Sequence, residues 1–349
     1  MKPSIYNLYK GLLITGKEGY GTTDFKYNLQ KKIIQNNFGL TIVDYTGKNT
    51  HKIIKNNTNI IHIEPSSFKY GFNILNCPID KSHNQYEAFV SNISNSLTNK
   101  INKELENPNT QISNIIYTII LKCIKLEKEY TLRNVAELFE NNLYSFINEH
   151  KFDNAFINRV KNYDETVYDE IYEIIIQWIQ DKTVENFISK NNLNLYNKIK
   201  QKDAIILDLS KLQNYNSKKH ISNFFLNRLW NIVQTKITIK NNHFLFLNDY
   251  HNGNYDINHI LSDARKYKLG ICISVKHINQ MLYINKHHLS RLKHIISFNT
   301  SNKKDAKTIE YLYNINAGKI VDLHQYEYIY YNTHKNNYSI NYVPDNRNS

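Results

Sequence analysis

Between Gly11 and Phe25 the chain reads GLLITGKEGYGTTDF: an apolar run, then three glycines within six residues, then the first residue of a helical pattern. The apolar run Gly11–Thr15 reads as a buried strand. Gly16, Gly19 and Gly21 form a turn, and Phe25–Asn36 carries helical periodicity. Gly39–Asp44 (GLTIVD) and Ile60–Ile63 (IIHI) follow as a second and a third strand. Strand, glycine turn, helix and strand in that order specify a parallel sheet built from βαβ units.

Outward from this stretch the character of the chain changes. From Tyr86 to Asn197 there is no glycine, and helical segments are predicted at Tyr86–Glu106, Ser113–Tyr130, Thr131–His150 and Val167–Lys190. Asp164 and Glu165 precede the last of these, where acidic residues favour a helix start. Strand patterns return at Ala204–Leu209, His243–Leu247, Gly270–Val275 and His294–Phe298, with helices at Lys218–Thr235, Ile257–Tyr267 and Lys303–Tyr313 between and after them. Tyr326–Val343 alternates around Asn336-Asn337 and reads as a β-hairpin. The expected fold class is therefore α/β, a doubly wound, mainly parallel sheet with an all-helical inserted domain. Residues 1–80 and 201–325 are expected to form the α/β part, residues 81–200 the insert, and residues 326–349 a hairpin and tail.

Composition limits the function classes. The chain has 349 residues, 41% of them hydrophobic, enough for a sizeable core. No apolar run reaches the roughly 18–20 residues that cross a bilayer, and no signal-peptide pattern opens the chain. The expectation is a soluble, cytoplasmic protein without a membrane span, peripheral to a membrane assembly at most. Cys77, Cys123 and Cys272 form no C-x-x-C pair, which argues against a disulfide framework or a cysteine zinc site. His287 and His288 are adjacent and lack the helical spacing of metal ligands. The net charge of +13 fits a nucleic-acid partner. The coding bias of an AT-rich genome, visible in the abundance of Asn, Lys, Ile and Tyr, yields the same charge.

Two stretches carry chemistry. A phosphate-binding loop of the form G-x-x-x-x-G-K-[S/T] between strand and helix holds phosphates on backbone amides, neutralises them with lysine and binds magnesium through the hydroxyl. Gly16 and Gly21 have that separation and Thr23 stands at the magnesium position, but the lysine position is Thr22. Lys17, inside the loop, offers a charge from its other side, and a solvated structural lysine is the plainer reading. The second stretch is FLFLNDY, Phe244–Tyr250. A hydrolase of this type ends such a strand in two acids, one for magnesium and one to polarise water. Here they are Asn248 and Asp249. A strand ending in a polar turn accounts for these residues equally well.

Taken together, GLLITGKEGYGTTDF, LTIVDYTGK, IEPSSFKYGFNIL, DAIILDLSK, HFLFLNDYHN, SDARKYKLGICISV and HIISF resemble the HerA/FtsK superfamily of P-loop motors. The likeness extends in particular to the TraG/TraD-type coupling proteins of conjugation and type IV secretion, and runs from about Gly11 to Tyr313. The resemblance implies a RecA/HerA-like P-loop NTPase fold, ATP and Mg2+ as cofactors, and a homo- or hetero-oligomeric ring, usually a hexamer. It also implies double- or single-stranded DNA as cargo, and protein partners for the helical insert. Gly16, Gly19, Gly21, Thr22, Thr23, Lys17 and Asp44 become the nucleotide-binding positions, with Thr23 and Asp249 toward the metal. Asn248 and Asp249 become the acid pair, Lys276 stands where the family has its sensor glutamine, and Arg265 matches a family arginine.

The departures fall on polar positions: Thr22 for lysine, Asn248 for aspartate, Asp249 for glutamate, Lys276 for glutamine and Asn299 for a basic residue. Loss of a single preorganised electrostatic group costs on the order of 10²-fold in rate. The expectation is a degenerate, inactive relative of DNA translocases, serving as a nucleotide-binding or structural subunit of a DNA-transfer, secretion or packaging assembly. An active divergent motor and a basic nucleic-acid-binding protein that keeps only the fold are the alternatives.

Overall fold

A computed structural model describes residues 4–343 apart from 49, 56–59, 127, 239–241, 251–256, 282–288, 290, 301 and 334. The histidine pair His287-His288 lies outside the described residues. By the density of its internal contacts the chain divides into two units, one of residues 1–64, 197–222 and 236–349, the other of residues 65–196 and 223–235.

The first unit is built on a sheet of nine strands: β1 (Leu12–Thr15), β2 (Gly39–Asp44), β3 (Ile60–Ile63), β4 (Ala204–Asp208), β5 (His243–Asn248), β6 (Leu269–Val275), β7 (His294–Ser297), β8 (Glu327–Asn332) and β9 (Asn337–Tyr342). Their order is β3-β4-β2-β5-β6-β1-β7-β8-β9. From β3 to β7 every neighbouring pair is parallel, and β8 and β9 add to the sheet antiparallel as a hairpin. Every residue of β1, β2, β4, β5, β6 and β7 is buried, which is why these strands are near-continuous apolar runs rather than alternating ones. The doubly wound, mainly parallel sheet read from the sequence is present.

Helix α1 (Thr22–Gln35) follows β1 and lays Phe25, Leu29 and Ile33 against Leu12, Ile14, Ile42, Phe244 and Phe246. Those three helix positions repeat at i, i+4, the spacing that brings side chains onto one face. The helix starts three residues before the predicted Phe25, because Gly21 in a left-handed conformation ends the loop there. The sheet's C-terminal edge carries a row of polar strand ends. Asp44 is paired in register with Asp208 on one side and with Asn248 on the other. Such an edge is where open α/β sheets place their ligands.

The second unit is helical. It comprises α3 (Tyr86–Asn102), α4 (Thr110–Lys125), α5 (Leu132–Glu137), α6 (Leu143–Glu149), α7 (Asn154–Lys161), α8 (Glu165–Ile179) and α9 (Lys182–Ser189), the short α2 (Thr50–Lys55) belonging to the first unit. Asparagine and aspartate side chains start several of them: Asn109 accepts from the amides of Gln111 and Ile112, Asp153 from Phe156, Asp164 from Thr166 and Asp181 from Thr183. The single helix predicted over Val167–Lys190 is two helices, because Asp181 caps a new one. Helix α7 lies where no helix was predicted. The GFNIL stretch, Gly71–Leu75, is held by this unit: Phe72 and Ile74 donate backbone hydrogen bonds to Phe187 and Ile188 at 2.8 and 3.1 Å. The buried Arg228 guanidinium donates to the carbonyls of Asn73 and Asn76, both at 2.6 Å.

His243 opens β5 with its ring fully buried and bonded to Thr41 Oγ1 at 2.8 Å, and burial pushes its pKa down to about 3. The unfolded chain takes up a proton near the ordinary histidine value, the folded one only near 3. The contribution of the neutral ring is therefore complete above about pH 6.5 and is lost as pH falls toward 3. Urea unfolding at pH 7, 6 and 5 is expected to show wild-type stability falling below pH 6.5 by up to about 1.4 kcal/mol per pH unit more than in His243→Gln.

Candidate nucleotide site

The loop Gly16–Gly21 joins β1 to α1, and two of its glycines are required by packing. A Cβ on Gly16 would lie 2.5 Å from Phe298 Cβ, and one on Gly21, at φ +99°, 2.9 Å from the Tyr326 ring. Lys17 donates its backbone amide to Asn299 O at 2.8 Å, Gln325 Nε2 donates to Gly19 O at 2.8 Å, and Tyr326 N to Tyr20 O at 3.1 Å. Asn299 donates its side-chain amide to the carbonyls of Val321 and Leu323. The loop is thus fastened to the segment after β7.

Beneath the loop lies a small polar pocket lined by Glu18, Thr22, Thr23, Lys26, Lys48, Asp249, Ser274 and Lys276. Asp249 follows β5 in a left-handed conformation, φ +55°, which aspartate tolerates. Its backbone amide donates to Ser274 Oγ at 2.9 Å. One carboxylate oxygen accepts from Lys26 Nζ at 3.3 Å and the other from Thr46 Oγ1 at 2.7 Å. Lys26 also donates to Ser274 Oγ at 3.2 Å. Its side chain is only 4% exposed, so this ammonium and carboxylate neutralise one another inside the fold.

Asp44, buried at the end of β2, accepts from the backbone amides of Thr46, Gly47 and Thr50 and from the Thr50 hydroxyl. It shapes the loop that carries Thr46 and Lys48 and caps α2. Lys48 in turn reaches Glu18 at 2.8 Å, and Lys276, just past β6, makes a second ion pair with the same carboxylate. Lys276 first, and Lys48 second, hold the Glu18 carboxyl down at about 2. One carboxylate is thus clamped by two lysines beside the glycine loop.

The other expected residues separate. Lys17 Nζ lies over the ring of Tyr20, 5.4 Å from its centroid, and does not line the pocket. Arg265 is exposed and precedes β6, whereas Lys276 follows it, so the two are about 20 Å apart along a seven-residue strand. Asn248 is buried, and its amide oxygen and nitrogen have no hydrogen-bond partner among the described residues. Lys26, Glu18, Lys48, Thr46 and Ser274 were not among the residues singled out in the sequence. The signal for Lys26 is its position four residues after Thr22, one turn along the same helix face and next to the apolar Phe25 and Leu29.

The donor set as arranged does not fit magnesium. Both oxygens of Asp249 are engaged, and the neighbouring position is a neutral amide. The free space in the pocket is about 20 Å³, room for one water molecule.

Sheet order, loop and helix define a P-loop NTPase fold. Solved structures with this fold include VirB4 of Thermoanaerobacter pseudethanolicus, at 11% identity over 97% of this chain and 90% of that one, with a TM-score of 0.69. The bacterial conjugative coupling protein TrwB in its unbound monoclinic form superposes at a TM-score of 0.65, with 10% identity over 97% of this chain and 85% of that one. The plasmid coupling protein TrwB in complex with ADP and Mg2+ superposes at 0.64, with 9% identity over 97% and 86%. In sequence, the chain matches no protein-family model and no curated protein. Among the described residues no helix is long and apolar enough to cross a membrane.

Removing one partner of the Lys26–Asp249 pair leaves a largely buried charge alone. Lys26→Ala is expected to cost about 3 kcal/mol of stability in chemical denaturation. Lys26→Met combined with Asp249→Asn should cost clearly less than the sum of the two single changes. Strict additivity would show that the pair is not coupled.

Proposed function

We propose that this chain is a degenerate relative of DNA-translocating P-loop ATPases that acts as a nucleotide-binding or structural subunit of a DNA-transfer, secretion or packaging assembly and turns over little or no ATP. The observation that carries this reading is the self-neutralised pocket. Lys26 engages Asp249, and Glu18 engages Lys48 and Lys276. The phosphate-lysine position is Thr22 and the magnesium-acid position is Asn248. Hydrolysis needs a free lysine for the phosphates and a free acid for metal and water, and each charged residue lining the pocket already has a counter-charge. Nucleotide would enter by displacing Glu18, and its phosphates would then take over Lys48 and Lys276. Ring assembly, DNA as partner and a protein partner for the helical unit follow from the fold likeness by analogy.

A second reading, an active divergent motor, is favoured by one specific observation. Lys26 brings an ammonium into the same pocket from one helical turn beyond the usual position. DNA binding without any nucleotide effect would instead fit a basic protein that uses only the fold, given the net charge of +13.

Binding of a fluorescent ATP analogue with Mg2+ and ATP hydrolysis with and without DNA, on one sample, separate these readings. The expected result is weak binding that tightens about tenfold in Glu18→Ala, with no DNA-stimulated phosphate release in either protein. Phosphate release stimulated by DNA and lost in Lys26→Ala would establish the motor instead.

A further inference from the structure

Away from the glycine loop, toward the β3 edge of the sheet, His62, Glu64 and Asp208 come together. β3 runs parallel to β4 with His62 opposite Ile206 and Ile63 opposite Leu207, so Glu64, just past β3, comes level with Asp208 at the end of β4. His62 and Glu64, two apart on an extended segment, project to the same face. One ligand atom from each of the three residues lies within 4.8 Å of those of the other two.

We propose that His62, Glu64 and Asp208 form a binding site for a divalent transition-metal cation of the Zn2+ type, separate from the nucleotide pocket. His62 Nε2 and Asp208 Oδ2 are 3.3 Å apart. Two ligands of a tetrahedral ion at about 2.0–2.1 Å are separated by about 3.3 Å, so this edge needs no rearrangement to accept a metal. One imidazole and two carboxylates is a donor set suited to such an ion, and three protein ligands leave a fourth position for water. The outer support is also present. Ser210 N donates to Asp208 Oδ1 at 2.9 Å, which turns Oδ2 toward His62. Asp208 is buried, while the His62 side chain is 31% and that of Glu64 17% exposed, which leaves a path from solvent. Lys211, on a side chain 60% exposed, pairs with Glu64 at 2.8 Å. An entering divalent ion would replace that lysine at Glu64.

The test uses the full chain after chelator treatment. Zn2+ binding is measured by isothermal titration calorimetry, and Co2+ binding by its visible absorption as a geometry-sensitive substitute. One ion per chain is expected, with affinity lowered at least tenfold in His62→Ala and raised in Lys211→Ala, where the competing ammonium is gone. His62 is partly exposed, so its variant should keep its fold, which circular dichroism checks; Asp208→Asn is a second variant expected to lose the ion. Absence of Zn2+ uptake by the wild type, or equal uptake by His62→Ala, would overturn the site. His62 and Asp208 would then be a plain hydrogen-bonded pair, and Lys211–Glu64 a surface ion pair. Neither readout depends on nucleotide, so the result is independent of how the glycine-loop pocket behaves.

Discussion

A lysine ammonium one turn inside a helix, walled in by the sheet beneath it, keeps its charge only if a counter-charge is built into the fold. Lys26 meets that condition through Asp249, and the surrounding geometry follows from it. The left-handed turn after β5 aims the Asp249 carboxylate back toward α1. Ser274 at the end of β6 receives the lysine while accepting the Asp249 amide, and Thr46 closes the other carboxylate oxygen. Three strand ends and one helix face thereby converge on a single ion pair.

The same logic runs along the sheet edge. A parallel sheet gathers the C-terminal ends of all its strands on one side, so polar residues at those ends become neighbours whether or not a ligand joins them. Asp44 satisfies itself on the amides and hydroxyls of its own loop, Asp208 on His62 and Ser210, and Asn248 has no partner among the described residues. Two satisfied carboxylates and one amide without a partner among the described residues stand side by side on adjacent strands.

Most of the fold was legible because buried parallel strands are apolar runs with little else in the chain resembling them: GLTIVD and IIHI match the strands residue for residue, and AIILDL and HFLFL match to within one residue at their ends. Helix boundaries were less legible. The break at Asp181 and the start of α7 depend on aspartates whose capping role shows only once the backbone turns. Of the residues lining the pocket, the sequence reading named Gly16, Thr22, Thr23, Asp249 and Lys276, but not Lys26, Glu18 and Lys48, which complete its ion pairs. Lys26 looks like one more surface lysine in a lysine-rich chain. Glu18 looks like an arbitrary loop residue, and its two partners come from elements about 30 and 260 positions away. Pairings across such separations are created by strand order, which sequence periodicity does not encode. Arg265 shows the converse: it matches a pattern, yet the direction of β6 carries it to the opposite edge.

Gly16 and Gly21 are hemmed in by Phe298 and Tyr326, side chains that belong to the scaffold and have no part in phosphate chemistry. A side chain at either position would collide with the wall of the molecule before it met any nucleotide. Packing alone is therefore enough to require glycine at both positions. In this chain the glycine spacing is a record of how the loop packs against the segments after β7.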